Sequence, residues 1–554
     1  MSSSALFPSL VLLLAVALMF RSSTNRISSP TVTLDNGTFA GITDGVVDHF
    51  LGIAFAKPPV GNMRLRLPVA NDPYLRTYSA TEFGPACSQL AITSELPSGL
   101  LPPETIRFLS TQTALRSPQT TSEDCLSINV VRPSGIRDGA LLPVAVWFYG
   151  GGFEYGASSL YDGTVIVNRS MELREPIVYV SFNYRLSAFG FLASKEVKDT
   201  GLGNLALHDQ RLALRWIQKY VSAFGGDPQK VTIWGESAGA VSASLQMLTN
   251  GGDTEGLFRA AFLQSGFPIM QGDMSDGQKY YDTLISDTGC SNSSDSLECL
   301  RGVPYDTFKA AVDKSPDTLA YQSVSVAWGP RVDGKFIPDD PQKLVAAGSV
   351  ARIPIVAGNV DDEGTLFALP CTNVTTEPQL RDYLTTYFIH GAQHTSDVDA
   401  LLSLYPADLT QGSPFDTGNA NAITPQFKRI AAILGDLTFQ APRRVLLQHT
   451  ASKQDSWAFL SKRFKAVSVI GSTHASDVDS IFAGGDLTDF LINFVNHLDP
   501  NGKVETEHTP WPKYDTKSPQ LLTLLDGPVS QKITKDTYRK AGMELLTTLT
   551  KLQP

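Results

Sequence analysis

The sequence predicts an α/β fold, in which a mostly parallel central sheet is covered by helices on both faces. Short apolar runs without polar alternation recur along the chain, and such runs are typical of strands buried on both faces. Segments with helical periodicity lie between these runs, for example residues 205–221. Strands that alternate with helices indicate parallel strands joined by helical crossovers. We therefore predict a mostly parallel sheet with helices on both of its faces.

The predicted elements follow this pattern along the chain. An antiparallel hairpin region is expected first, at residues 31–56, and the α/β pattern begins at Pro143. Residues 270–345 and 370–450 are expected to be large, mostly helical insertions. No internal repeat and no linker divides the chain, so we expect a single domain over residues 27–554. The buried strands that we predict from Pro143 onward are residues 144–149, 176–182, 230–233, 259–264, 353–358 and 457–460.

The composition excludes one class of partner. The chain has 554 residues, 42% of them hydrophobic and 18% charged, which is typical of a globular protein with a large core. Its formal net charge is −10, and it has no long basic run. Nucleic acid is therefore not an expected partner.

The N-terminus predicts secretion. Residues 6–20 are almost wholly apolar and are followed by Arg21, so we predict a signal peptide at residues 1–20. The run is short for a membrane span, and an uncleaved signal anchor is the alternative. The five cysteines and several Asn-x-Ser/Thr sequences fit a secreted glycoprotein. The candidate glycosylation sites are Asn36, Asn168, Asn292 and Asn373.

A serine motif lies at the centre of the α/β pattern. Residues 235–239, Gly-Glu-Ser-Ala-Gly, fit Gly-x-Ser-x-Gly, the sharp strand-to-helix turn that exposes a nucleophilic serine in α/β-hydrolases. A β-branched strand precedes the motif, and small residues that suit a tightly packed helix follow it. Gly235 and Gly239 are expected because a Cβ atom in this crowded turn would clash. Since a free serine is a poor nucleophile, Ser237 needs a base, a group that orients the base, and an oxyanion site.

The oxyanion candidate is the glycine run at residues 150–152, directly after the strand at 144–149. Glycines let backbone N–H groups turn toward a substrate oxygen. A phosphate-binding loop is the rival interpretation, but no Gly-Lys-Ser/Thr follows. A plain glycine turn is the remaining alternative.

The acid and the base are expected after the serine, in that order. Asp361, Asp362 and Glu363 follow the strand at 353–358, and spacing alone does not choose among them. His474 lies in a Gly/Ser-rich loop after the strand at 457–460, which is the best position for the base. No His/Cys cluster has zinc spacing, so neither a metal nor a cofactor is expected. The histidines that follow the acids, and that spacing leaves open, are His390, His394, His449, His474, His497 and His508.

Four long stretches carry a family resemblance: residues 122–130, 149–153, 182–185 and 203–228. On these motifs the chain resembles the type-B carboxylesterase/lipase family, which includes cholinesterases and secreted fungal lipases of the Candida rugosa type. The resemblance runs from about residue 30 to about residue 515 and implies an α/β-hydrolase fold. It implies that Ser237 is the nucleophile, His474 the base, and Glu363 the group that orients the base. The implied oxyanion donors are the N–H groups of Gly151, Gly152 and Ala238.

The resemblance also implies several structural features. It implies disulfides Cys87–Cys125 and Cys290–Cys299, which would leave Cys371 free. It implies an internal salt bridge between Arg64 and Glu123. It implies that Ser265 lies near Ser237, Glu363 and His474 and supports them without reacting itself.

The function that the resemblance implies is hydrolysis of small-molecule or lipid carboxylic esters through an acyl-enzyme. The alternative is a non-catalytic, cholinesterase-like adhesion or binding protein, but an intact Ser237, Glu363 and His474 speak against it. A cholinesterase is not favoured either, since residues 88–124 contain no Trp for choline binding. No oligomeric state is predicted.

Lipase and general carboxylesterase both remain open. The apolar residues within 88–124 would form a lid over an acyl tunnel in one interpretation, and a fixed loop packed on the core in the other. A moving lid would bring transient contact with a lipid interface. Pro97, Pro102 and Pro103 disfavour a long lid helix.

Overall fold

An eleven-stranded mixed sheet runs through the described part of the chain, which comprises residues 29–94, 99–137, 139–389, 395–502 and 508–551 of this computed structural model. The predicted signal peptide at residues 1–20 lies outside the described residues. In chain order, the strands are β1 (Thr31–Leu34), β2 (Gly37–Ala40), β3 (Ile42–Thr43), β4 (Val47–Ala54), β5 (Thr77–Ser79), β6 (Ala86–Cys87), β7 (Thr121–Ser122), β8 (Ser127–Pro133), β9 (Leu142–Phe148), β10 (Val178–Phe182), β11 (Gly226–Glu236), β12 (Ala260–Gln264), β13 (Ile355–Val360), β14 (Ser456–Ser461), β15 (Gln520–Leu524) and β16 (Gln531–Lys535).

The sheet is mostly parallel, as predicted. Its strand order is β16-β15-β14-β13-β12-β11-β9-β10-β8-β4-β3. All neighbours from β15 to β10 in this order are parallel, whereas β16 at one end and β8, β4 and β3 at the other are antiparallel. The six strands predicted from Pro143 onward correspond to β9–β14, and the predicted N-terminal hairpin is the antiparallel pair β1–β2.

Helices cover the sheet and fill the two predicted insertions. The helical prediction holds for much of 270–345 and 370–450, but residues 313–340 form turns and loops instead. In chain order, the helices are α1 (Pro103–Thr111), α2 (Thr164–Glu172), α3 (Ser187–Phe191), α4 (Lys195–Thr200), α5 (Leu205–Tyr220), α6 (Ala238–Gln246), α7 (Gln278–Asp287), α8 (Ser296–Gly302), α9 (Tyr305–Val312), α10 (Pro341–Ala347), α11 (Thr365–Ala368), α12 (Glu377–Tyr387), α13 (Thr395–Leu404), α14 (Phe427–Gly435), α15 (Ala441–Thr450), α16 (Ser476–Ile481), α17 (Asp486–His497) and α18 (Lys540–Lys551).

The hydrophobic core lies on both faces of the central strands. Every residue of β10, β12, β13 and β14 is buried, which explains why these strands show no polar alternation in the sequence. Each large apolar side chain buried in this way stabilises the folded state by about 1.5–3 kcal/mol relative to an exposed one. Packing in this core holds the strands in place, and the candidate site residues directly follow the ends of several of them. Within the described residues, no helix is long and apolar enough to cross a membrane.

The segment between Cys87 and Cys125 is closed by a disulfide, and a second disulfide joins Cys290 and Cys299. Cys371 is a buried free thiol. The segment contains one short helix, α1, which begins at Pro103. Proline is tolerated at the first helical position because its missing N–H has no helical partner there. Pro102 and Pro103 therefore stand at the start of this nine-residue helix, and Pro97 lies outside the described residues.

The salt bridge implied by the resemblance is present. Arg64 Nη2 donates to Glu123 Oε2 at 2.8 Å, and Arg64 Nη1 donates to the carbonyl oxygen of Val303 at 2.6 Å. The guanidinium is buried and joins three segments of the chain. Its place within the protein interior supports a structural role.

Candidate active site

Ser237 lies on a sharp turn between β11 and α6. Its backbone has φ 53° and ψ −129°, a strained conformation for a residue other than glycine. The expected crowding is confirmed: a Cβ atom on Gly235 would lie 2.6 Å from the carbonyl carbon of Gly239. A Cβ atom on Gly239 would lie 2.0 Å from the carbonyl oxygen of Phe148. The two glycines therefore allow the backbone approach that brings the serine to the end of the sheet.

The loops after β13 and β14 bring an acid and a histidine to the serine. His474 Nε2 lies 2.8 Å from Ser237 Oγ, and His474 Nδ1 lies 2.6 Å from Glu363 Oε2. Glu363 and His474 are buried and Ser237 is half-buried, and the two loops are joined by a β-bridge between Asp362 and Thr473. The three residues therefore form a continuous hydrogen-bonded row of Ser, His and Glu.

The other two candidate acids have a different role. Asp361 and Asp362 both pair with Lys465, so neither carboxylate faces the His474 ring. Asp362 also accepts a 2.8 Å hydrogen bond from the N–H of Ser472, in the loop that carries His474. These contacts hold the two loops together, and of the three candidate acids it is Glu363 that contacts the imidazole.

The remaining candidate histidines lie elsewhere. His497 contacts Glu175 at 2.8 Å, and His508 contacts Asp489 at 3.1 Å. His449 lies on α15. His390 and His394 fall outside the described residues. Among the described histidines, only His474 contacts Ser237.

Glu363 is held by three donors on its second oxygen. Ser265 Oγ donates to Glu363 Oε1 at 2.6 Å, Asn359 Nδ2 donates at 2.8 Å, and the N–H of Val360 donates at 3.0 Å. These bonds leave Oε2 directed at the imidazole. Ser265 thus contacts the acid, in the position behind the triad that the resemblance implied.

A second carboxyl group faces the imidazole. Oε1 of the buried Glu236 lies 3.3 Å from His474 Nε2. Burial raises the pKa of Glu236 to about 8, while the nearby His474 acts in the opposite direction. The contact was not predicted, because residue 236 is a variable position of the Gly-x-Ser-x-Gly motif.

Burial and nearby carboxylates set the proton affinity of His474 in opposite directions. Burial alone would lower the pKa of the imidazole, but the carboxylates of Glu236 and Glu363 outweigh it and raise that pKa above 6.5. Asp477 adds to this negative surrounding, and burial raises its own pKa to about 6. The site therefore favours the imidazolium that forms when a histidine accepts a serine proton.

The glycine loop after β9 lies beside the serine. Gly151 has φ 108°, and a Cβ atom there would lie 2.1 Å from the carbonyl oxygen of Tyr155. Gly152 and Ala238 line the same cavity as Ser237. The N–H groups of Gly151, Gly152 and Ala238 donate no hydrogen bond to any residue in the described ranges. They are therefore free to bind an oxygen of another molecule.

The cavity at Ser237 is large, with a volume of about 730 Å³. That volume lies within the roughly 300–1,000 Å³ of small-molecule sites. The apolar part of its wall includes Phe153, Val241, Phe367 and Phe439. The described residues of the 88–124 segment do not line it. Across the described ranges, no group of three or more His, Cys, Asp and Glu side chains is arranged to hold a metal ion.

Comparison with known proteins agrees with this architecture. The carboxylesterase family matches residues 28–541. Lipase 4 of Diutina rugosa is 44% identical, over 94% of this chain and 96% of its own length. The secreted triacylglycerol lipase LIP1 of Gibberella zeae is 40% identical, over 94% of this chain and 90% of its own length. The crystal structure of Aspergillus niger EstA has a TM-score of 0.80 and 28% identity, and the match covers 95% of this chain and 99% of that one.

Proposed function

We propose, on the premise that this chain belongs to the carboxylesterase family and is a carboxylic ester hydrolase, that Ser237 is the nucleophile of a two-step reaction through an acyl-enzyme. The observation that carries this proposal is the row of contacts from Ser237 Oγ through His474 to Glu363, at 2.8 Å and 2.6 Å. A serine becomes nucleophilic when an adjacent base accepts its proton and a third group orients that base.

In the first step, His474 Nε2 accepts the Ser237 proton as Oγ attacks the ester carbonyl carbon. The tetrahedral intermediate then collapses, and the alcohol leaves with the proton from His474. In the second step, His474 accepts a proton from the water that attacks the acyl-enzyme. It then returns that proton to Ser237 Oγ as the carboxylic acid leaves. Glu363 accepts a hydrogen bond from Nδ1–H throughout, which fixes the tautomer and stabilises the imidazolium.

The N–H groups of Gly151, Gly152 and Ala238 would stabilise the oxyanion of each tetrahedral intermediate. Their lack of partners among the described residues supports this assignment. Removing one such donor typically costs about 2.7–4 kcal/mol of barrier. The proposed donors belong to the backbone, so substitutions that move the glycine loop would test them better than side-chain truncation.

We propose a lipid ester as the substrate class. The relative from Gibberella zeae is named a triacylglycerol lipase, and the apolar wall of the cavity suits an acyl chain. In the lid interpretation of residues 88–124, α1 would be the helical part, and Ile106 on it is 55% exposed, although the described residues of the segment do not line the cavity. The fixed-loop interpretation gains support from the contact between Thr105 Oγ1 and the carbonyl oxygen of Ser468, at 2.9 Å. Interfacial activation distinguishes the two.

We also propose that the protein is secreted and consists of one catalytic domain over residues 27–554. Three relatives are named as secreted, and the two disulfides suit an oxidising compartment. Among the candidate glycosylation sites, Asn36, Asn292 and Asn373 are exposed, whereas Asn168 is half-buried. We therefore expect glycans at the first three sites before Asn168.

The proposal is tested with p-nitrophenyl esters of increasing acyl length, with and without an oil interface. Ser237→Ala should fold and lose nearly all turnover, whereas the control Ser222→Ala, on the exposed surface, should retain it. Full turnover by Ser237→Ala would contradict the proposed nucleophile. Preference for long chains with a rate jump at the interface would support a lipase with a moving lid, and short-chain preference without that jump would support the carboxylesterase alternative.

A further inference from the structure

Arg331 lines the same cavity as Ser237 and has few partners. Its backbone is fixed, because Asn204 accepts a hydrogen bond from the N–H of Arg331 and donates one to its carbonyl oxygen, at 3.0 Å and 2.8 Å. The side chain has only one long hydrogen bond among the described residues, from Nη2 to the carbonyl oxygen of Ala327 at 3.5 Å. Its Nε atom is buried and has no hydrogen-bond partner in those ranges.

No carboxylate in the described ranges lies within 4.0 Å of the Arg331 guanidinium. A charged group taken out of water is costly unless a partner of opposite charge replaces the lost hydration. Burial lowers the pKa of Arg331 for this reason, and Asp276 offsets the effect only in part. The guanidinium thus presents several N–H donors in the wall of the cavity, and no carboxylate of the described residues pairs with them.

Most acids in this part of the wall are already engaged. Asp273 pairs with Lys198, and Asp339 lies 3.8 Å from Lys343. Asp340 accepts hydrogen bonds from three backbone N–H groups, those of Gln271, Gln342 and Lys343.

The charged residues of this part of the wall that form no ion pair with a described residue are Asp276, Asp340, Lys279 and Arg331. Of these, Asp340 already accepts its three backbone hydrogen bonds. Lys279 Nζ instead lies 4.8 Å from the ring centre of Tyr280. Asp276 is therefore the acid left to compete with an incoming anion for the Arg331 guanidinium.

We propose that Arg331 binds a free carboxylate of the substrate, separated by an apolar chain from the ester that Ser237 attacks. The chain would lie along Val241, Ile269, Val326 and Val332, which line the same cavity. The planar guanidinium matches a carboxylate through two parallel N–H···O bonds. This inference rests on the proposed function, because it assumes that the ester reacts at Ser237. It assigns Arg331 a role in specificity rather than in the reaction.

The free carboxylate could belong to the acyl part or to the alcohol part of the ester. The acyl arm of the test uses p-nitrophenyl monoesters of dicarboxylic acids of increasing length. The alcohol arm uses butyrate esters of ω-hydroxy carboxylic acids. In each arm, kcat/KM is divided by its value for the neutral ester of equal length. A selectivity that depends on Arg331 in either arm supports the proposal and identifies the part that carries the carboxylate.

Arg331→Gln should lower this selectivity ratio at least about tenfold, the size expected when a charge-assisted hydrogen bond is lost. Arg331→Lys should keep part of it, because the charge remains and the fork is lost. Arg215→Gln is the matched control, since Arg215 is exposed on α5 and outside the cavity wall. Its ratio should equal that of the unaltered protein.

The ratio cancels any loss of folded enzyme, because both substrates are measured on one preparation. Asp276→Asn provides a second test at an exposed residue, and removal of its negative charge should raise the ratio severalfold. Equal ratios for Arg331→Gln and the unaltered protein in both arms would overturn the inference. That result would leave the proposed function standing as long as Ser237→Ala fails to hydrolyse the neutral esters.

Discussion

His474 and Glu236 lie 3.3 Å apart, measured from Nε2 to Oε1, on the side of the imidazole that also contacts Ser237. Nε2 is the atom that would carry the serine proton during the reaction. A carboxyl group beside it influences both the proton affinity of the base and the charge balance of the site. Two predictions follow from this contact, one for activity and one for stability.

Activity should fall as the pH drops through the His474 pKa, because the imidazolium cannot accept the Ser237 proton. That pKa is raised above 6.5, although burial opposes the shift. Glu236 keeps its proton below about pH 8, so Glu236→Gln leaves the charge beside Nε2 unchanged where the acidic limb lies. The acidic limb of the profile of kcat/KM against pH should therefore stay in place, and a limb that moves to lower pH would show that Glu236 is ionised there.

The same variant should change the pH dependence of stability. The pKa of Glu236 is about 8 in the folded protein, against an ordinary value of 4.5. The folded state therefore holds this proton more tightly, and the resulting stability is complete below pH 4.5 and is lost as the pH rises toward 8. Thermal melts of both proteins across this range should show the Tm difference shifting in favour of Glu236→Gln as the pH rises. A difference that is constant with pH would contradict the prediction.

Ser265 is expected to position Glu363 rather than to react. It supplies one of three donors to Glu363 Oε1, so Ser265→Ala should lower kcat by about threefold to tenfold, as expected for one lost hydrogen bond. KM should change little. Glu363→Gln is the comparison, and a loss of about 10³–10⁴-fold is expected there because the histidine loses its orienting acid. If Ser265→Ala were as inactive as Glu363→Gln, the serine would have a more direct role than positioning.

The central sheet could be predicted from the sequence because its strands are buried on both faces. β12 and β13 read as continuous apolar runs, and the structure places both strands inside the sheet. The edge strand β16 was missed, since its residues Gln531–Lys535 are polar and half-exposed. β15 and the antiparallel strand β8 were also not predicted. β16 pairs with β15, which precedes it directly in the chain, and its polar residues lack the apolar run that identifies the central strands.

In the candidate site, too, some features could be predicted from the sequence and others could not. The turn at Ser237 could be predicted because the crowding that requires glycine at positions 235 and 239 is local in sequence. Spacing alone could not choose Glu363 over Asp361 and Asp362, because all three follow the same strand and only tertiary contacts separate them. Lys465 forms ion pairs with the two aspartates, whereas Glu363 contacts the His474 ring. Glu236 was missed because its variable position in the motif carries no signal of the histidine that it faces.

Covalent labelling of Ser237 tests the central claim most directly. A p-nitrophenyl alkylphosphonate mimics the ester, and attack by the serine oxygen on phosphorus expels p-nitrophenolate and leaves a stable adduct. We expect one p-nitrophenolate released per protein, complete loss of esterase activity, and an adduct on the peptide that contains Ser237. Ser237→Ala should release none. Complete inactivation with the adduct on another residue, and Ser237 unmodified, would contradict the account.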